Sequence, residues 1–135
     1  MISSMTVLVV DDFSTTRRII SSLLSQVGFT RIHQASNGVE ALERLGKSKI
    51  DLVVTDWHMP EMDGLDLVVN MRTHPATARI PVLMVTAESK KEQMTKAAYA
   101  GVNGYLVKPF TAAALHGKIQ RIVARLDQAQ LQAAV

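Results

Sequence analysis

Short apolar runs that stop on polar residues alternate along the chain with stretches whose apolar residues return every three or four positions. Val7 to Val10 is the first such run, and it ends on Asp11 and Asp12. Leu52 to Val54 stops at Thr55 and Asp56, and Pro60, Asp63 and Gly64 punctuate the loop that follows. Val82 to Val85, opened by Pro81, stops at Thr86, and Gly104 to Val107 leads into Lys108 and Pro109. Continuous apolar runs of this length, bounded by turn residues, read as strands buried on both faces. Arg31 to Ala35 is more polar and reads as an edge strand.

The stretches between them carry helical spacing. Ile20, Leu23, Leu24 and Val27 form one apolar face, with Ser14 expected as its N-cap and Gly28 as its end. Asn37 is expected to cap a short helix through Leu45, with Val39, Ala41, Leu42 and Leu45 apolar and a turn from Gly46 to Lys49. Leu65, Leu67, Val68 and Met71 mark a third helix that ends before Pro75. Lys90 to Ala100 is expected as a fourth, with Met94, Ala97 and Ala98 inward and Gly101 closing it. Thr111 caps a fifth, whose apolar face is Leu115, Ile119, Ile122 and Leu126. The Gln- and Ala-rich end, Asp127 to Val135, either extends that helix or frays.

Strand and helix therefore alternate five times. Parallel strands need helical crossovers, and right-handed crossovers put helices on both faces. The expected fold is α/β, a (βα)5 doubly wound, flavodoxin-like parallel sheet of order 2-1-3-4-5. A chain of 135 residues, 47% hydrophobic, suits one domain, with a core over about 6–126 and an extension over 127–135. There is no cysteine, which excludes disulfides and thiolate metal sites. No apolar run approaches the ~18 residues of a membrane span. Met1 to Met5 lacks the features of a signal peptide, so a cytoplasmic protein is expected. The net charge of +3 is compatible with an acidic partner and is no evidence for nucleic acid.

In a parallel sheet all carboxyl ends of strands share one edge. Asp11, Asp12, Asp56, Thr86 and Lys108 should therefore converge in one cleft, where open α/β sheets bind ligands. Clustered carboxylates repel, which raises a pKa or demands a cation. An all-oxygen cluster suits Mg²⁺, which keeps several waters and often bridges to a phosphate. A hydroxyl and an ammonium opposite it can neutralise phosphoryl oxygens, and a carboxylate can be the nucleophile. The chemistry points to Mg²⁺-assisted phosphoryl transfer onto Asp56, with Asp11 and Asp12 holding the metal.

Four stretches carry a resemblance: Val10 to Arg18, Thr55 to Gly64, Pro81 to Glu92 and Gly101 to Ala112. On these the chain resembles a response-regulator receiver domain, most closely the single-domain regulators of chemotaxis. The resemblance implies that a chemotaxis-type histidine kinase phosphorylates Asp56. It implies Mg²⁺ on Asp11, Asp12, Asp56 and the backbone carbonyl of His58. Thr86 and Lys108 would bind the phosphoryl group, the Lys108–Pro109 bond would be cis, and Tyr105 would turn inward as Thr86 moves. The surface of the fourth helix, fifth strand and fifth helix would then bind the flagellar motor switch protein. Matching contact positions are Lys90, Lys91, Met94, Ala98, Tyr105, Val107 and Lys118. A dedicated phosphatase is a further implied partner, and a monomer is the simplest expectation. Such a protein is a switch rather than an enzyme.

Some features depart from that pattern. His58 stands where chemotaxis regulators often carry Asn, and it would lie beside the path of an attacking water. From Glu88 to Asp127, Lys90, Lys91, Lys96, Lys108, Lys118, Arg121 and Arg125 face only Glu88, Glu92 and Asp127, a basic balance. This leaves open a phosphate sink, or a regulator of pili or another chemosensory output. A small aspartyl-phosphate hydrolase is a more distant alternative: it would need a second acid two positions after the nucleophile, where His58 stands. His33, His74 and His116 show no metal spacing.

Overall fold

A computed structural model of the chain describes residues 2–134. The strands are β1 (Thr6–Val10), β2 (Arg31–Ala35), β3 (Leu52–Thr55), β4 (Val82–Thr86) and β5 (Gly104–Val107). Each is followed by a helix: α1 (Ser14–Val27), α2 (Gly38–Lys47), α3 (Gly64–Thr73), α4 (Lys91–Ala100) and α5 (Ala112–Ala134). A single 3-10 turn, Ile2–Ser4, precedes β1. Every pairing is parallel and the order is β2-β1-β3-β4-β5, as the alternation requires.

Successive strand residues point to opposite faces. Val7, Val9, Leu52, Val54, Leu83 and Val85 pack against Ile20 and Leu24 of α1 and Leu115 and Ile119 of α5. Leu8, Val10, Val53 and Val82 pack against Ala41 of α2 and Leu67, Val68 and Met71 of α3. Both faces are covered, which is why these strands are apolar without alternation. Trp57, Met84 and Ala97 form a small third cluster beneath α4, with Tyr105 against it. The register aligns Val10 with Thr55, Thr55 with Met84 and Thr86 with Val107. The carboxyl ends of four strands therefore meet at one edge.

Three local expectations change. Ser14 is the first residue of α1 and not its N-cap; the cap is Phe13, which has no side-chain cap bond. Asp11 Oδ1 takes the Phe13 N–H at 2.9 Å, so the aspartate closes the turn that Ser14 was expected to close. The second helix does not end at Leu45 but runs through Gly46 to Lys47, because nothing crowds or twists the chain at Gly46. Met94 and Ala98 do not face inward: Met94 is 40% exposed and Ala98 is exposed. Ala97 is the buried residue of α4, flanked by the partly covered Gln93 and Ala100, so the inner stripe runs i, i+4, i+7 and not through Met94. The tail, expected either to extend the last helix or to fray, runs as helix through Ala134; Val135, and Met1 at the other end, lie outside the described residues. Among the described residues no helix is long and apolar enough to cross a membrane.

Candidate functional site

Sheet pairing continues one residue past the strands and fixes the first polar groups. The Asp56 N–H donates to the Val10 carbonyl at 2.9 Å, and the Asp11 N–H donates to the Ala35 carbonyl at 3.1 Å. Behind Asp56, α3 comes so close that a Cβ at Gly64 would lie 2.0 Å from the Asp56 carbonyl oxygen. Only glycine permits that approach. The Gly64 N–H then donates to the Trp57 carbonyl at 2.7 Å, and Asp63 caps α3 by accepting from the Asp66 N–H at 2.8 Å.

The sheet edge brings Asp11, Asp12 and Asp56 together, with one carboxylate oxygen of each within 4.8 Å of the others. Asp11 is 1% exposed and Asp56 is 9% exposed. Lys108 answers part of this charge, its Nζ donating to Asp11 Oδ2 at 2.9 Å and to Asp56 Oδ2 at 3.1 Å. Burial by itself would lower the Lys108 pKa. The hydrogen bonds to Asp11 and Asp56 and their charges outweigh burial and hold the ammonium above the ordinary lysine value. The remaining oxygens are not equivalent. Asp11 Oδ1 is taken by Phe13 N–H, and Asp56 Oδ1 accepts from Trp57 N–H at 2.6 Å. Asp12 Oδ1 is buried with no hydrogen-bond partner among the described residues. A buried, unsatisfied carboxylate oxygen is costly. Beside two further carboxylates it forms an all-oxygen donor set that could hold a hard divalent cation.

Thr86 is 1% exposed, and its hydroxyl oxygen accepts from the Glu88 N–H at 3.3 Å. Its carbonyl accepts from the Lys108 N–H at 2.8 Å, just before the cis Lys108–Pro109 bond. The Tyr105 hydroxyl donates to the Glu88 carbonyl at 2.8 Å while its ring packs against the Trp57 cluster. Burial, then the charges of Glu88 and Asp56, raise the Tyr105 pKa. His58 stands at the rim, its side chain 63% exposed, with Nε2 2.8 Å from Glu88 Oε1 and its ring stacked on Trp57.

Glu88 is thus a hub that sequence reasoning missed. It meets Thr86, Tyr105 and His58 through three different groups, and no local spacing announces contacts 17 and 30 residues apart. Arg72 was missed too. Its guanidinium donates to the carbonyls of Gly101 and Ile80, each at 2.8 Å, and to Asn103 Oδ1 at 3.0 Å. This ties the end of α3 to the loops flanking β4 and β5. Arg17, also missed, donates from Nη1 to the Asp11 carbonyl at 2.7 Å. A cation in the first turn of a helix runs against the helix dipole, and that was the available signal.

The expected partner positions divide by exposure. Lys90, Lys91, Met94 and Ala98 are exposed on or beside α4, whereas Tyr105 and Val107 of β5 and Lys118 of α5 are half-covered. Met94 and Ala98 lie one turn apart on the same helix face.

Residues 7–120 match the family described as response regulator receiver domain. The chain is 53% identical over 123 residues to chemotaxis protein CheY-3 of Vibrio cholerae, covering 91% of this chain and 95% of that one. It is 51% identical over 123 residues to chemotaxis protein CheY of Pseudomonas aeruginosa, covering 91% and 99%. The solved structure of a CheX–CheY–BeF3–Mg²⁺ complex from Borrelia burgdorferi matches with a TM-score of 0.83 at 26% identity, over 88% of this chain and 89% of that one. Strand order, the acidic cluster at the sheet edge and these likenesses agree: the chain belongs to the response regulator receiver domain family, in its CheY-type branch.

Proposed function

We propose that this chain is a single-domain chemosensory switch, phosphorylated on Asp56 by a histidine kinase and read out by the flagellar motor switch. The observation that carries the proposal is the three-carboxylate cluster with the orphaned Asp12 oxygen, spanned by Lys108. Mg²⁺ fits that donor set, with Asp11, Asp12, Asp56 and the His58 carbonyl as the residues that would hold it. When bound it would supply charge neutralisation for a phosphoryl group.

The rest of the chemistry belongs to the protein. A carboxylate oxygen of Asp56 forms the new P–O bond as the P–N bond to the donor imidazole breaks, and the imidazole leaves with its proton. Lys108 is already within hydrogen-bond distance of Asp56 and is held charged, ready to pair with the phosphoryl oxygens. The Thr86 hydroxyl oxygen accepts from the Glu88 N–H. Its turn toward a phosphoryl group releases the loop that Glu88 organises, and with it the Tyr105 contact and the N-terminal end of α4. Lys90, Lys91, Met94, Ala98, Tyr105, Val107 and Lys118 then form the altered docking face for an acidic partner segment. A phosphatase that resets the switch is a further partner, a reading supported by the CheX–CheY likeness. His58 is engaged with Glu88 and supplies no second carboxylate, which favours a switch over a turnover hydrolase.

The test follows the fluorescence of Trp57, the sole tryptophan, on adding Mg²⁺ and then beryllofluoride. Two saturable changes are expected, the second absent in Asp56→Asn. A motor-switch peptide should bind more tightly after beryllofluoride. Mg²⁺ and beryllofluoride responses without peptide binding would move the output to another partner, and a folded protein with no response would reject the phosphorylation reading.

A further inference from the structure

Among the described residues Asp12 Oδ1 has no hydrogen-bond partner, so no bond to that oxygen aims it into the acidic cluster. The backbone neighbours of Asp12 are both held by a single residue. The Arg17 N–H donates to the Phe13 carbonyl at 3.0 Å, and Arg17 Nη1 donates to the Asp11 carbonyl at 2.7 Å. Arg17 Nη1 therefore holds the peptide unit before Asp12 from one turn along α1, and the N–H of the unit after it, that of Phe13, donates to Asp11 Oδ1 at 2.9 Å. The guanidinium is braced from the other side, where Nε donates to Gln34 Oε1 of β2 at 3.2 Å. Nothing about α1 itself favours a cation here. Arg17 is the fourth residue of the helix, where free N–H groups and the dipole disfavour positive charge.

We propose that Arg17 is a positioning residue that presents Asp12 to the divalent cation, an inference that rests on the metal reading of the site. The alternative, that Arg17 acts only through its charge, predicts the opposite sign. A positive charge near a cation site weakens cation binding, so its removal alone would tighten Mg²⁺. A positioning role predicts that removal loosens it.

The experiment titrates Mg²⁺ against Trp57 fluorescence in the full chain, for wild type, Arg17→Met, Arg17→Lys and Gln34→Ala, with thermal unfolding of each. Arg17→Met keeps the aliphatic stem and the backbone bond but loses the donor to Asp11. It should bind Mg²⁺ about 10-fold more weakly, the usual scale for losing a group that orients a metal ligand. Arg17→Lys keeps the charge without the fork and should fall in between, as should Gln34→Ala, which removes the brace on Nε. Without metal, amide exchange at Phe13, whose N–H donates to Asp11 Oδ1, should quicken in Arg17→Met, a readout that does not depend on the cation. Equal or tighter Mg²⁺ binding in folded Arg17→Met overturns the proposal. If Arg17→Met does not fold, Arg17→Lys with wild-type affinity overturns it. If wild type itself shows no saturable Mg²⁺ response, the metal reading fails first and takes the proposal with it.

Discussion

Helices α3 and α4 are each ten residues long and each follows a strand that ends at the site, but they are attached in opposite ways. α3 buries Gly64, Leu67, Val68 and Met71, whereas α4 buries Ala97 alone. Full burial of a leucine is worth roughly 1.5–3 kcal/mol, and an alanine methyl offers far less. Asp63 caps α3 with its side chain, but Lys90 at the corresponding place on α4 makes no such bond. The C-terminal end of α4 is better held: Gly101 is left-handed at φ 107°, and its carbonyl accepts from Arg72. A helix fixed at one end and lightly packed along its length can respond to a local event at small cost. One buried as α3 is cannot, and that rigidity holds the loop behind Asp56.

The largest expected effect contrasts the two helices directly. Leu67→Ala should destabilise by about 2–5 kcal/mol, whereas Met94→Ala on α4 should stay within about 0.5 kcal/mol, both by urea unfolding. Comparable losses would break the contrast. Next is the clamp between the helices. Arg72→Met strands several carbonyls and should cost about 1–3 kcal/mol, with faster amide exchange over 98–103. Loss of exchange protection along α3 instead would place the clamp's role elsewhere. Tyr105→Phe removes only the bond to the Glu88 carbonyl and should cost about 1 kcal/mol, loosening the loop before α4 and leaving α3 unchanged in exchange experiments.

The last effect appears only at alkaline pH. The folded Lys108 pKa is raised, through the Asp11 and Asp56 bonds that overcome burial. Its stabilisation is therefore complete below the ordinary lysine pKa of about 10.4 and is lost as pH rises through the higher folded value. Wild type should lose stability across that window more steeply than Lys108→Met. Parallel unfolding curves would mean that the ammonium contributes nothing there.

Much of this was legible because topology amplifies weak local signals. A lone Asp after a strand says little, but Asp11, Asp12, Asp56, Thr86 and Lys108 end strands that must be parallel, so they must meet. Asn37 and Thr111 were readable as caps, and each accepts from the N–H three residues on. Ser14 was misread because a nearby carboxylate, Asp11, closes the turn first. The α4 face was misread because alanine, methionine and glutamine give a faint periodicity, and the fold chose Gln93, Ala97 and Ala100 for the inner stripe. Glu88, Arg72 and Arg17 act through long-range contacts or through backbone carbonyls. No spacing in a sequence encodes which carbonyl a side chain will find.

On the phosphorylation reading, chemistry at Asp56 is read on α4 and not on α3. This is tested most directly by residue-resolved amide exchange in the presence of Mg²⁺, with and without beryllofluoride. Altered exchange is expected over 87–94 and at Tyr105, with constant exchange over 65–73 and no change at all in Asp56→Asn. Equal changes in both helices, or a silent α4 with beryllofluoride bound, would contradict it.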